Sequence, residues 1–595
     1  MANPARSMSG RAVPASVGHA RAHSQAGSLG RRLHERFMAY EEGEGRPWVA
    51  IWQGFTGSMM MLVASFGVGW LPNASYSVAS LAPVIWMRYE LAGVITSILL
   101  LVFGGMLLVR SWLRLGSRLG DFAKDGTAAA VRNATLLWSA PLAFSLPLFS
   151  RDVFAYIAQG LMVTNGLNPY KDSYSQITGY LQIGADDLWS QSPTPYGPVW
   201  LWLESWAVFF GQGNPLPSIA VFRLLAIVGF LLMWWGVTKM AALHHVNVPR
   251  AVFLSVTNPL VLTTFIASIH NDALMMGCVL VGLYLVARKK PILGIAVFTL
   301  SIGIKPITVL LLPFIGLMWA GPRASWRRKL VFAGLATAYS LGLMAILGFI
   351  VGGGFGWVAA LKTPGTVWIW YAPVGMLGFI VGALANALGL DGASLTDLVY
   401  LGAKVVGLLV VARVFFVGKD AHLVRRMGVA LAAVVLSSSM IQGWYVVWLL
   451  PLFAVSGVRS DWQYKVLSFV TPFFVAYSLC DQLDIFPYLT GIDLTSARNF
   501  AAVLVLAFCV YLVAIDSKTK HLFNIRWPSL SQMRELGVRA RDAVRAEAAR
   551  IRRGAEGHTG TDEKIVKGRA QGLSDAPSAP DAAPGGTPQT PSRRK

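Results

Sequence analysis

Uninterrupted apolar runs recur along this chain from residue 50 to residue 515, and VITSILLLVFGGMLLV, residues 94–109, is typical of them. A hydrocarbon layer of roughly 30 Å takes about 17–25 residues of helix to cross. Inside that layer each backbone N–H and C=O must find its partner within a helix or a closed barrel. Barrel strands would show segments of about ten residues alternating apolar and polar, and these runs do not alternate. The fold class they predict is all-α, in a polytopic integral membrane protein. A soluble core could not absorb a 595-residue chain that is 55% hydrophobic and only 13% charged.

Basic residues set the expected orientation, because clusters of Lys and Arg stay on the cytoplasmic side. Those clusters are Arg110 to Arg118, Lys239 to Arg250, Arg288 to Lys290, Arg323 to Lys329, Arg413 to Arg426 and the chain from Lys518 onward. Spans over 50–70, 90–109 and 130–149 then put residues 150–196 on the extracytoplasmic side. Full crossings by 197–211 and 366–389 would break the alternation of sides, so both are expected to be re-entrant or interfacial. The total comes to roughly 13 to 16 transmembrane or re-entrant helices. The net charge of +22 belongs to short loops and tails, and no nucleic-acid-binding motif accompanies it.

Residues 1–47, polar and without an apolar h-region, are expected to be a disordered cytoplasmic tail with no cleavable signal. Residues 48–516 would form the membrane domain, and 517–595 a basic, partly disordered cytoplasmic tail. Within that tail, 529–553 reads equally as a basic helix on an anionic leaflet or as a solvated one. Cys278, Cys480 and Cys509 have neither metal-ligand spacing nor the pattern of a disulfide framework.

The conspicuous polar residues gather at the helix ends expected to face outward. In SRDVFAYIAQGLMVTNGLNPY, residues 150–170, Asp152 directly follows a span. A carboxylate there is costly to desolvate. It reads either as an interfacial charge paired with Arg151 or as a general base tuned by burial. Lys305, opening KPITVLLLPF, is a candidate ligand for a lipid phosphate, with snorkelling as the other reading. Arg223 lies deep in VFRLLAIVGF, where it needs a structural partner or a ligand. His270, Asn271 and Asp272 suit a cation, a sugar, or the cap of the helix that follows. Trp368, Trp370, Tyr371, Trp444, Tyr445 and Trp448 fit an aromatic belt and also sugar stacking. On pattern alone this is the polar, outward-opening site of a transferase or a transporter.

Six blocks then fall in a recognisable order: SRDVFAYIAQGLMVTNGLNPY, TPYGPVWLW, IHNDALMMGCVLVGL, KPITVLLLPF, GGGFGWVAALKTPGTV and QGWYVVWLLP. Together they resemble the actinobacterial polyprenyl-phosphomannose-dependent α-1,6-mannosyltransferases, the MptB branch first and the MptA branch second. The resemblance covers residues 50–515 and omits both tails. It implies a GT-C glycosyltransferase architecture with the active site on the extracytoplasmic face of the plasma membrane. It also implies an inverting transfer of mannose from polyprenyl-phosphomannose to the 6-hydroxyl of an α-1,6-mannan acceptor, in building the lipomannan and lipoarabinomannan core.

In that scheme Asp152 deprotonates the acceptor hydroxyl, and Lys305, Arg223 and Lys362 bind the donor phosphate. Arg151, Tyr156, Tyr196, His270, Asn271, Asp272, Gln442, Trp444 and Tyr445 shape the sugar and acceptor pocket. Two departures stand out. Gly443 replaces a proline that relatives carry before Trp-Tyr, and no arginine follows Thr363-Pro364, which leaves Lys362 as its candidate replacement. No metal site or cofactor is assigned, and a divalent cation stays open. The expected partners are the lipid donor, a mannosylated glycolipid acceptor and membrane lipids, without nucleic acid, for a monomeric protein. The rival readings are a GT-C enzyme for another sugar and a flippase or transporter of a polyprenyl-linked sugar. Transport would call for paired, symmetry-related broken helices, and the sequence has no convincing internal repeat.

Overall fold

A computed structural model describes residues 47–72, 75–119, 126–360, 367–458, 462–481, 483–485 and 493–523, with isolated positions between 534 and 545. The N-terminal tail to residue 46, nearly all of the segment 529–553, and Lys362 lie outside the described residues. Among those described, every regular element is helical, and the first compact unit closes at Phe523.

Six helices are long and apolar enough to cross a membrane unaided: α1 (Pro47–Val68), α2 (Leu91–Arg118), α6 (Pro215–Leu243), α12 (Trp326–Ile350), α14 (Gly392–Phe416) and α18 (Leu494–Ile515). A seventh crossing arises if α7 (Val248–Ser255) and α8 (Pro259–Ala267), bent by 51°, act as one broken span. The remaining apolar segments are shorter. They are α3 (Thr127–Ala143), α4 (Asp152–Thr164), α5 (Pro198–Phe210), α9 (Asp272–Ala287), α10 (Pro291–Ile304), α11 (Pro306–Ala320), α13 (Pro373–Ala387), α15 (Leu423–Leu436), α16 (Gly443–Val455) and α17 (Trp462–Asp481).

This differs from a stack of full-length spans, and the reason is local. Helices of 13 and 15 residues, such as α5 and α13, rise only about 20 and 22 Å at 1.5 Å per residue. Prolines set many of the starts. Pro198, Pro215 and Pro259 occupy first turns, where a missing N–H costs nothing. Asn214 and Asn258 cap the helices behind two of them, accepting from the amides of Leu216 and Leu260. Polar backbone is thereby brought to membrane depth, which is tolerated where it is buried in protein or lines a cavity.

Neighbouring helices pack in pairs, α1 on α2, α6 on α9, α9 on α10, α11 on α12 and α13 on α14. Ion pairs tie distant parts together: Arg88 to Asp484 at 2.6 Å and Arg110 to Asp516 at 2.9 Å. The outer faces of α13 and α14 carry Leu377, Phe379, Leu384, Leu398, Leu401 and Leu408 exposed, as lipid-facing helices do. Inside the bundle, the first residues of α4, α9, α11 and α16 converge on one region, through Asp152, Asp272, Pro306 and Gly443.

Candidate active site

A cavity of about 430 Å³ occupies that region. Its polar wall carries Arg151, Asp152, Tyr196, Lys305, Gln442 and Tyr445. Its apolar wall, between α15 and α17, carries Ile369, Val434, Val435, Met440 and Phe474. The loop joining α4 to α5 contributes Tyr174, Asp186, Trp189 and Ser192. Three helix N-termini open on the same space, and each bears the positive end of a backbone dipole.

Close backbone contact brings the pieces together. The turn in PTPYGPVW sits on the end of α10, where Gly197 donates to the Ile304 carbonyl at 3.1 Å. A Cβ on Gly197 would lie 2.4 Å from the Gly303 carbonyl oxygen, so this crossing requires glycine. Tyr196 and Lys305, immediately beyond the contact, become neighbours: the lysine Nζ lies 5.9 Å from the tyrosine ring.

Asp152 is one-quarter exposed, and its amide donates to Ser150 Oγ. Tyr196 donates its hydroxyl to Asp152 Oδ2 at 3.3 Å, and His270 Nδ1 lies 3.4 Å from the same oxygen. Both groups address Oδ2; among the described residues none addresses Oδ1. Arg151 does not pair with Asp152. Its guanidinium donates to the carbonyls of Gly184 and Ala185, each at 2.9 Å, and packs over Trp70. It fastens the α4–α5 loop. Further along that loop the hydroxyls of Tyr180 and Ser190 hold the Asp187 carboxyl below the usual carboxylate range.

Lys305 does not snorkel outward. Its ammonium donates to Asp272 Oδ1 at 2.9 Å and Oδ2 at 3.1 Å, while Trp448 Nε1 donates to Oδ1 at 2.6 Å. Asp272 is fully buried. The capping role open to Asn271 and Asp272 is not the one taken, since Asn271 makes no side-chain cap bond. His270, Asn271 and Asp272 stand behind the cavity wall. His270 lies against Trp444, ring centroids 4.3 Å apart and tilted by 33°, and neither its ring nitrogens nor the side-chain amide of Asn271 makes a hydrogen bond among the described residues. Tyr156 is also behind the wall, its hydroxyl 3.5 Å from the Asn271 amide that donates to it. Among the described residues no three His, Cys, Asp or Glu side chains converge as metal ligands.

Arg223 is elsewhere. It donates to the carbonyls of Leu142, Ser145 and Ile266, joining the end of α3 to α8, and it does not line the cavity. Each bond to a charged donor contributes about 1.5–3 kcal/mol. Arg223→Met would leave three buried carbonyls without their donor, at about 1–3 kcal/mol each, and should cost at least about 3 kcal/mol of stability. A lowered melting temperature with an unchanged KM for the lipid donor in the surviving protein is the expected result.

Three features were not singled out from the sequence. Trp448, read only as a belt or sugar-stacking aromatic, donates its indole N–H to Asp272. Glu204 is fully buried on α5, with neither carboxyl oxygen partnered; a lone carboxylate inside an apolar helix was the available signal. Phe149 and Ile269 adopt left-handed backbone, at φ 65° and 61°, just before Ser150-Arg151-Asp152 and just before His270. For a β-branched isoleucine this is a strained state, and no residue type announces it.

The stretch that assembles Asp152, Tyr196, His270, Asp272 and Lys305 is also the stretch that known proteins share. A family described as alpha-(1->6)-mannopyranosyltransferase, N-terminal domain, matches residues 51–321. This chain is similar to the alpha-(1->6)-mannopyranosyltransferases. Alpha-(1->6)-mannopyranosyltransferase A of Mycobacterium tuberculosis is 29% identical over 314 residues, 52% of this chain and 60% of its own length. A probable alpha-(1->6)-mannopyranosyltransferase of Mycolicibacterium smegmatis is 27% identical over 445 residues, 67% of this chain and 78% of its own. Alpha-(1->6)-mannopyranosyltransferase B of Corynebacterium glutamicum is 26% identical over 455 residues, 71% of this chain and 75% of its own. No solved structure matches. Relatives named A and B both occur, so the mannopyranosyltransferase likeness does not choose a branch.

Proposed function

We propose that the protein is an inverting glycosyltransferase that moves mannose from polyprenyl-phosphomannose to the 6-hydroxyl of an α-1,6-mannan acceptor on a glycolipid. The reading places this chemistry at the extracytoplasmic face of the plasma membrane, in making the lipomannan and lipoarabinomannan core. The observation that carries it is one cavity with three kinds of wall. An apolar side suits a prenyl chain, an ammonium and three helix N-termini suit a phosphate, and a carboxylate with one free oxygen suits a hydroxyl proton.

In the proposed step the acceptor O6 attacks the anomeric carbon as its proton passes to Asp152 Oδ1. The O6–C1 bond forms, the C1–O bond to phosphate breaks, and the electron pair leaves on the phosphate oxygen. That leaving group needs no acid, only stabilisation of its charge, and Lys305 stands in the wall to give it. The aromatic faces of Trp444 and Tyr445 are at hand for the sugars. Lys362 keeps the role of a further phosphate ligand as an expectation, being outside the described residues.

The test is direct. Purified protein in lipid nanodiscs, given polyprenyl-phosphomannose and a short α-1,6-mannoside, should yield a mannoside one unit longer with an α anomeric proton by NMR. Sugar moved across a sealed bilayer with no new glycosidic bond would overturn the reading.

A further inference from the structure

His270 does not line the cavity, yet it lies between Asp152 on the wall and Asp272 behind it. Its Nδ1 is 3.4 Å from Asp152 Oδ2 and 3.6 Å from Asp272 Oδ2. The ring is fully buried and lies against Trp444 at a tilt of 33°, and neither of its nitrogens makes a hydrogen bond among the described residues. An imidazole nitrogen presenting a lone pair to two anionic oxygens would be repelled by both. The ring is held in that place only if Nδ1 carries its proton. Contacts of this length are ordinary for unloaded active sites, whose hydrogen bonds tighten when substrates arrive.

Resting on the transfer reaction proposed above, we infer that His270 is a positioning residue that selects which oxygen of Asp152 acts as base and couples that base to the lysine serving the leaving phosphate. The first half follows from where the donors sit. Tyr196 donates to Oδ2, and His270 Nδ1 lies 3.4 Å from the same oxygen, placed to donate to it when the site tightens around substrates; Oδ1, the oxygen left without a donor, is then the one for the acceptor hydroxyl.

The second half follows from the shared proton. While Asp152 is anionic it competes with Asp272 for the Nδ1–H. Once Asp152 has taken the acceptor's proton it is a weaker acceptor, and the Nδ1–H turns to Asp272. Asp272 already receives both Lys305 and Trp448. A third donor drains charge from that carboxylate and loosens its hold on the ammonium at the moment the phosphate departs. Deprotonation of the acceptor and stabilisation of the leaving group are thus linked through one ring.

Two substitutions, each alone and combined with Asp152→Asn, test this in nanodisc-reconstituted protein with polyprenyl-phosphomannose and an α-1,6-mannoside. His270→Asn keeps an N–H near the Nδ1 position, His270→Phe keeps the ring alone, and each is made again with Asp152→Asn. His270→Phe should lower kcat about 100-fold, the low end for a general-base contribution, and leave both KM values within about threefold. His270→Asn should recover at least tenfold of that loss, a rescue that a purely structural role would not produce. With Asp152→Asn already present, His270→Phe should cost little more, because the histidine acts through that carboxylate. Should His270→Phe fail to fold, the Asn variant decides alone: kcat within tenfold of wild type supports the role, and kcat as low as that of Asp152→Asn overturns it. Equal losses from His270→Phe with and without Asp152 also overturn it. Wild-type protein that transfers no mannose is a separate failure, one that removes the reaction and this role with it.

Discussion

Asp152→Asn should lower kcat for mannosyl transfer by at least about 10³-fold while KM for donor and acceptor moves little. General acid–base groups contribute typically 10²–10⁴-fold, and the other carboxylate on the cavity wall, Asp186, accepts from the Leu188 amide within the α4–α5 loop. Arg151 is committed to Gly184 and Ala185, and Tyr196 donates to the same aspartate. Asparagine keeps the shape. Its side-chain oxygen still accepts from Tyr196, so melting temperature should stay within a few degrees of wild type. A loss confined to kcat identifies an interaction made in the transition state rather than in the bound ground state. Initial rates at saturating donor, with expression and melting matched, decide the matter; turnover equal to wild type would remove Asp152 from the mechanism.

The second large effect is on stability and activity together. Lys305→Met leaves Asp272 fully buried with only Trp448 donating to it. Removing one partner of a buried ion pair costs about 3–5 kcal/mol, because the other charge stays behind uncompensated. The single variant should therefore melt far below wild type. Adding Asp272→Asn removes the stranded charge and keeps an acceptor for the Trp448 Nε1–H, so most of the lost stability should return. Donor turnover should not return with it, since no ammonium then faces the cavity. Thermal unfolding beside donor kinetics on both variants separates the two roles of Lys305. Full donor kinetics in the double variant would assign the lysine to structure alone.

The sequence made the charges legible and their partners illegible. Asp152, Asp272 and Lys305 stand out in an apolar chain because lipid tolerates no idle ion. The bond that matters most to Lys305 crosses 33 positions of sequence, and the Trp448 bond to the same carboxylate crosses 176. No periodicity encodes such pairings. Arg223 shows the converse: the need for a partner was plain, but the partners are three backbone carbonyls, which every residue possesses. Helix existence was readable from apolar runs. Helix length was less so, because α9, α10 and α16 are only 16, 14 and 13 residues long, α9 and α16 starting and α10 ending where the chain turns in at the cavity. Hydropathy alone does not register that depth.

The left-handed backbone at Ile269 has a cost of its own, of order 1–3 kcal/mol, and it lies in the link that hands α8 over to His270. Such a kink persists only while the helices on either side are gripped by their neighbours. A detergent micelle or a thinner bilayer that slackens this grip from far away would let the kink relax first. The enzyme would then fall silent while its helices remained intact, and lipid surroundings would govern its rate without touching either substrate.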